Sequence, residues 1–551
     1  MNARVTHGVE RTSRLTSLEA VVWLLVYVIG LGAAQACGFR MAVPYFYYQV
    51  LSRQLLEHRL CESLWNLHAQ PPLLDLALGV ALKLSRASGV SVERLLLLLN
   101  GVLGIVVVFA TLSLLRRLVI RPVLRSAVML LLLLDPSFYL FLGIFFYTFY
   151  ELVLLMLAAL AAHRFATRPT LGAYLGFCVP LLLLTYTRAL FHPLWASALL
   201  ALVGASAQPR RPTARRQVAG AFLLVLVILA AWPIKNGLRF GVWGFSSWQG
   251  FNLSRGLGID VPPGWLFSAQ PSRDEVAARA IANRSVPATF RDIPALTELK
   301  KEDGSLNWNH YAIIGASAKM GRQALAIWSH DPRRVGRKAM ANYFDHFIAY
   351  PGRQPYSGEL DWRAKQPAAA AWLAAFERLS LAAPIGHGRA SRAPVFAVFF
   401  PLLVVVCVLH AWSLRSGDRP AALALAVLLG AVLWVLAAVL LIDGDEGNRM
   451  RFSTQLALWI GAASALEGRL QGRGTASEGG RDAPARPGRG AGDGAGGNGG
   501  GSGDERATDG GEVDGRMPAV GRVPAVLESP RLRIPVQGDH PFRSEDDTYS
   551  V

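Results

Sequence analysis

Apolar residues in this chain fall in long unbroken blocks rather than at a period of 2 or 3.6, the pattern of helices that cross a bilayer. The first block covers residues 18–36, and others follow at about 94–115, 123–142, 144–163, 171–186, 190–204, 217–234, 395–412, 421–442 and 454–466. These predict ten crossings. An eleventh segment, residues 71–84, opens on Pro71-Pro72, a pair tolerated only at the start of a helix. It spans about 21 Å against roughly 30 Å of hydrocarbon, so it is expected to be re-entrant or interfacial. Eleven crossings are the alternative if it does pass through.

Between the two groups of blocks, residues 237–393 are of mixed polarity, with Pro, Gly, Trp and many charges. This segment is expected to form an α-rich domain outside the membrane, with amphipathic helices at about 311–329 and 332–350. The first of these would turn Ile313, Ala316, Met320, Leu325 and Trp328 inward. From 468 to 551 the composition collapses into Gly, Arg, Asp, Ser and Ala, which cannot build a core, and the expectation is a disordered cytoplasmic tail. The organisation expected is therefore a transmembrane module at 1–236 with a first external loop at 37–75, the external domain at 237–393, further transmembrane helices at 394–467, and the tail.

Composition sharpens this reading. The 551 residues are 52% hydrophobic and 17% charged, with a formal net charge of +18. That charge does not signal nucleic acid, because Lys and Arg cluster in short loops between the blocks, where the positive-inside tendency accounts for them. With Arg4, Arg11 and Arg14 ahead of the first block, the loop at 37–70 lies outside and the Arg-rich loops at 116–125, 164–168, 210–216 and 415–419 lie inside. Four cysteines are too few for a disulfide scaffold. Cys37 and Cys61 share one loop and are able to pair in an oxidising compartment, whereas Cys178 and Cys407 read as small core residues.

Candidate chemistry gathers at the external ends of the blocks. His68 and Gln70 precede the Pro71-Pro72 helix start, where free N–H groups favour an anion. Arg188, Lys235, Arg239, Arg449 and Arg451 lie at external ends against the positive-inside tendency, and guanidinium groups pair bidentately with phosphate. Snorkelling or an ion pair, such as Arg449 with Asp443, Asp445 or Glu446, is the structural alternative. Glu151 stands near the end of an apolar run, where a charge is expensive unless it has a purpose or a partner, His68 or an arginine. No Cys/His spacing fits zinc, and no nucleotide loop or Gly-x-Ser-x-Gly elbow occurs.

Four stretches together resemble the GT-C class of membrane glycosyltransferases, which includes protein O-mannosyltransferases and lipid A aminoarabinose transferases. They are His68-Ala69-Gln70-Pro71-Pro72-Leu73; Leu184-Thr185-Tyr186-Thr187-Arg188; Pro233-Ile234-Lys235-Asn236 with Gly250-Phe251-Asn252-Leu253; and Glu446-Gly447-Asn448-Arg449-Met450-Arg451-Phe452. The resemblance covers residues 18–466 and implies an all-α polytopic membrane protein, a GT-C type helical bundle in the cell (inner) membrane with its active site facing outward. It implies inverting transfer of a sugar from a polyprenyl-phosphate donor to a glycan, lipid or protein acceptor, with a carboxylate as base. The family form has His next to Pro-Pro, and it carries an acid early in the first loop; here Ala69 and Gln70 intervene, and residues 39–48 hold no acid. The base is therefore expected at Glu62 or Glu151, with His68 or Asp75 as substitutes, and a divalent metal ion is expected at Glu151. Arg188, Arg449, Arg451 and Lys235 are expected on the lipid phosphate, and Gln70, Asp75 and Asn252 on substrate. Two rival expectations are a transporter or flippase, which usually shows internal repeats not found here, and a non-catalytic partner of GT-C form.

Overall fold

The computed structural model describes residues 3–47, 49–206, 212–257, 286–347, 366–379, 394–442 and 447–478. Its helices are α1 (Ala3–Cys37), α2 (Arg53–His58), α3 (Leu60–Trp65), α4 (Leu73–Ser88), α5 (Val92–Leu118), α6 (Pro122–Leu134), α7 (Pro136–Leu142), α8 (Tyr147–Thr167), α9 (Leu171–Thr187), α10 (Pro193–Ser206), α11 (Pro212–Phe240) and α12 (Gln249–Gly256). They continue as α13 (Pro294–Thr297), α14 (Ala312–His330), α15 (Pro332–Ala341), α16 (Pro367–Leu379), α17 (Pro394–Leu414), α18 (Arg419–Leu441) and α19 (Gly447–Glu478). Among the described residues there are no strands, only isolated bridges such as Ala42 with Ile144. The chain is an all-α integral membrane protein.

Among the described residues, five helices are long and apolar enough to cross a membrane: Ser17–Cys37 within α1, α5, α8, α11 and α18. Residues 123–142, expected as one span, are the bent pair α6 and α7, which turns by 53° and counts as a sixth if it is one span. The break is chemical. Asp135 caps α7 by accepting the Ser137 N–H at 2.8 Å, and Pro136 occupies its first turn, so the α6 ladder stops there. Three of the ten expected crossings fall short by length or polarity. The 17 residues of α9 and 14 of α10 reach about 26 and 21 Å, and α19 carries Arg449, Arg451 and Glu467. The remaining one, α17, has 21 residues, as many as α8. As expected of a non-spanning element, α4 is not among the candidates. It starts at Leu73, after Pro72, and runs to Ser88, four residues past its expected end, closed by Gly89 at φ +70°.

Helix α8 is the centre of the bundle, packed against α5, α9, α18 and α19. Charges tie one end together: Glu19 pairs with Arg116 at 3.0 Å and with Arg125 at 3.2 Å, and Glu467 reaches Arg121 at 3.8 Å. Arg117 lies 3.4 Å from His163 near the end of α8, which brings the loop at 164–168 to the same end. The opposite end carries Glu151, Arg188 and the start of α19, and on it sit the first loop and the polar segment after α11.

In that polar segment, α14 matches the first expected amphipathic helix, and α15 runs into a π-helical turn at Asn342–Phe347 where a longer helix was expected. Residues 348–350 lie outside the described set. Ile313, Ala316 and Met320 are buried as expected, but Leu325 is 60% exposed and Ala324 takes the inner place. The inward stripe runs 313, 316, 320, 324, a spacing that keeps one face, and 325 lies about 100° off it. α14 crosses α12 at Gly250 and Gly321, where a Cβ on Gly250 would overlap the Ser317 carbonyl. Only glycine allows so close an approach. α19 extends to Glu478, so the helical part ends later than residue 467. Cys37 and Cys61 are free thiols rather than a pair, and Cys178 and Cys407 are buried.

Candidate active site

The loop from Asn66 to Gln70 is held by side chains from three other segments. Asn309 accepts the N–H groups of His68 (2.9 Å) and Ala69 (3.2 Å) and donates to the Asn66 carbonyl at 3.1 Å. The Ser247 N–H donates to the His68 carbonyl at 2.8 Å, and Ser246 donates to that of Ala69. Lys235 donates to the Leu67 carbonyl at 2.5 Å while lying 3.8 Å over the Trp232 ring, and Arg239 Nε donates to Asn66 Oδ1 at 2.9 Å. These bonds bring the first loop onto the end of α11 and the start of α12. They engage the Lys235 ammonium and the Arg239 guanidinium, two of the cations at external ends, with the first loop.

His68 is fully buried, with Nδ1 2.8 Å from Ser247 Oγ and the ring edge on Phe240. Burial first, and the Lys235 charge second, push its ring down to about 3. It is neutral at physiological pH. It does not line the cavity described below, so it stands apart from the expected residues that meet there.

Asp75 is also buried, accepting the Leu51 N–H at 2.9 Å through Oδ1 while Oδ2 has no hydrogen-bond partner. Burial pushes its carboxyl up to about 7, against the lowering by the Leu51 N–H and the Lys301 ammonium. Lys301 itself donates to the carbonyls of Tyr45 (2.8 Å) and Tyr47 (2.7 Å), and burial pulls it down to about 8. Asp75 thus fastens Leu51 to α4, and it is not among the residues that line the cavity described below. Because its folded value stands above the ordinary one of 3.8, the folded state holds the extra proton between about 4 and 7, and stability is lost as pH rises through that window. His68, shifted down, acts in the opposite sense between about 3 and 6.5, so the difference between variant and wild type is the quantity to read. Asp75→Asn keeps the acceptor for Leu51 and removes the charge. Its unfolding temperature in micelles should gain on wild type progressively from pH 4 to 7 and hold the gain above, worth up to about 4 kcal/mol at about 1.4 per unit. Parallel pH profiles would contradict this account of Asp75.

A cavity of about 280 Å³ opens beside this loop. Its lining is mixed: Gln49, Gln70, Arg188, His192, Ser246, Gln249 and Asn252 are polar, and Ala189, Leu190, Leu253, Trp434, Ala438, Ile442 and Met450 are apolar. Three expected residues, Gln70, Arg188 and Asn252, meet here. Arg188 caps the C-terminus of α9, is 5% exposed, lies 4.1 Å over the Tyr147 ring and donates Nη1 to Glu151 at 3.1 Å. Glu151 is fully buried behind it. Arg449 is fully buried too, over Phe146 (4.4 Å) and Tyr147 (4.8 Å), with its guanidinium on the Tyr147 hydroxyl. Arg188 and Arg449 thus share one aromatic ring.

The remaining expectations fare differently. Arg449 and Arg451 do not form one fork: two residues apart on α19 they project to different sides, Arg451 near Tyr343, whose phenol burial pushes up to about 12 against the lowering by the Arg451 charge. Met450 between them lines the cavity instead. Glu62 is exposed on α3 and pairs with Arg59 at 3.4 Å, away from the cavity. Asp443, Asp445 and Glu446 lie outside the described residues. Glu151 has a guanidinium on one oxygen and no second acid beside it, and among the described residues no three His, Cys, Asp or Glu form a metal-holding group. This donor set does not fit a metal ion, and no step below passes through one. Sequence reasoning missed His192, Gln49 and Gln249, all cavity residues; the one available signal was His192-Pro193 following Arg188 by four positions in the same turn. Comparison with protein-family models, with curated proteins and with solved structures gave no match.

Proposed function

We propose that this chain is a membrane glycosyltransferase of GT-C type that moves a sugar, with inversion, from a polyprenyl-phosphate donor to a glycan, lipid or protein acceptor on the outer face of the cell (inner) membrane. The observation that carries the reading is convergence: Gln70, Arg188, Asn252 with Leu253, and Met450, one from each stretch that resembles the family, line one cavity. The mixed lining suits such a donor. Amides and Ser246 match a hydroxylated sugar, the Arg188 guanidinium matches a phosphate, and Leu253, Trp434, Ala438 and Ile442 match an isoprenoid chain. In the transfer, an acceptor oxygen attacks the anomeric carbon, the carbon–oxygen bond to phosphate breaks, and the polyprenyl phosphate leaves with the electron pair while the acceptor's proton passes to a base. Arg188 would stabilise the leaving charge.

A second reading, a lipid-phosphate-binding partner without transfer chemistry, is favoured by one observation: no carboxylate among the described residues lines the cavity. One experiment separates them. Purified protein in lipid nanodiscs, given polyprenyl-phosphate hexoses and pentoses with lipid, glycan and peptide acceptors, should release polyprenyl phosphate and glycosylate an acceptor. Binding without release supports the second reading, and neither binding nor release sinks both.

A further inference from the structure

The turn from Arg188 to His192 puts two nitrogen-rich side chains on the same cavity. It is a tight turn: the Phe191 N–H donates to the Arg188 carbonyl at 3.1 Å and the His192 N–H to that of Leu190 at 3.0 Å. His192 stands just before α10, and its Nδ1 accepts the Leu194 N–H at 3.2 Å, satisfying one of the free donors at that helix start. A backbone N–H only donates, so Nδ1 is the unprotonated nitrogen and the neutral ring carries its hydrogen on Nε2. Burial lowers the ring's tendency to take a second proton. The edge left for a ligand is therefore an N–H donor, not a lone pair.

Resting on the donor assignment above, we propose that His192 is a phosphate-binding residue, donating Nε2–H to the same phosphate that Arg188 engages. This makes the site a two-donor clamp for a phosphate ester. The oxygens of an ionised phosphate can only accept, so an obligate donor on a neutral ring recognises them without adding a second buried charge beside Arg188. A hydrogen bond to a charged group of this kind typically contributes about 1.5–3 kcal/mol, or roughly 10- to 150-fold in affinity.

Two conservative variants separate this role from capping. His192→Gln places an amide N–H near the Nε2 position but gives up the cap, whereas His192→Asn keeps a cap acceptor for Leu194 and gives up the donor. Binding of polyprenyl phosphate to the full chain in nanodiscs, read by native mass spectrometry, should fall tenfold or more in the Asn variant and be largely kept in the Gln variant. The reverse order, or equal binding in both, overturns the proposal. Inorganic phosphate and a short-chain prenyl phosphate are the comparison probes. A lipid headgroup site predicts that affinity rises with chain length and that His192→Asn weakens every probe by the same factor; a variant effect on none of the probes refutes the clamp. Transfer is scored separately in the same preparations. A wild type that binds through His192 yet transfers nothing leaves this inference standing and removes the transferase reading, while transfer with unaltered binding in His192→Asn does the opposite.

Discussion

Arg188→Lys should lower sugar transfer by about 10²–10³-fold, chiefly in kcat, while the protein keeps its fold. The lysine retains a positive charge for Glu151 and for the Tyr147 ring, both within reach of the native side chain. It lacks the planar fork that lets one group pair with a carboxylate on one edge and a phosphate on the other. Charge develops on the phosphate as the sugar bond breaks, so a donor aimed at that oxygen matters most in the transition state, and losses of this size follow when such a donor is removed. Arg449→Lys is expected to act more weakly, through the Tyr147 ring it shares with Arg188, because it does not line the cavity. Turnover of a polyprenyl-phosphate sugar in nanodiscs, with unfolding temperatures in parallel, measures both. If Arg188→Lys turns over like wild type, the guanidinium is a structural partner of Glu151 and the phosphate must be held elsewhere.

The apolar blocks were legible because spanning helices are apolar on all sides, and their register need not be read to find them. Positions that depend on register were less legible. Arg449 and Arg451 read as a pair from adjacency in sequence, yet a helix separates residues i and i+2 by about 200°, and Met450 is the residue at the cavity. Leu325 failed for the same reason, one position off the stripe that buries Met320 and Ala324. Breaks inside apolar runs were also hidden: residues 123–142 hold Asp135-Pro136, a cap and a first-turn proline, which bend the run by 53°. The cavity itself gathers residues 200 or more positions apart, such as Gln49 with Gln249 and Arg188 with Met450, and no local pattern encodes that. His192 was invisible because a histidine before a proline looks like any loop residue until its Nδ1 is seen on the Leu194 N–H.

Glu151 is where the structure changes the chemistry most. The sequence makes it a candidate base, but Glu151 is fully buried behind Arg188 and absent from the cavity wall. It is better placed to hold Arg188 than to take a proton from an acceptor. Its second oxygen has no hydrogen-bond partner, so the ion pair at 3.1 Å carries most of its compensation. Breaking such a pair from one side is costly. Glu151→Gln and Arg188→Met should each destabilise the protein by about 3–5 kcal/mol, since each leaves a buried charge without its counter-charge. The double variant should cost less than the sum by roughly 1–3 kcal/mol, because neither charge then remains. Unfolding of the four proteins in one detergent gives the coupling directly. At a temperature where Glu151→Gln is folded, its transfer should fall no more than about tenfold and its pH–rate profile should keep its shape, the behaviour of a positioning residue. A general base would give a different result, a loss of about 10²–10⁴-fold with the pH-dependent limb gone. That second pattern, in a protein with native unfolding temperature, would return Glu151 to the reacting atoms and require the cavity to open toward it when the donor binds.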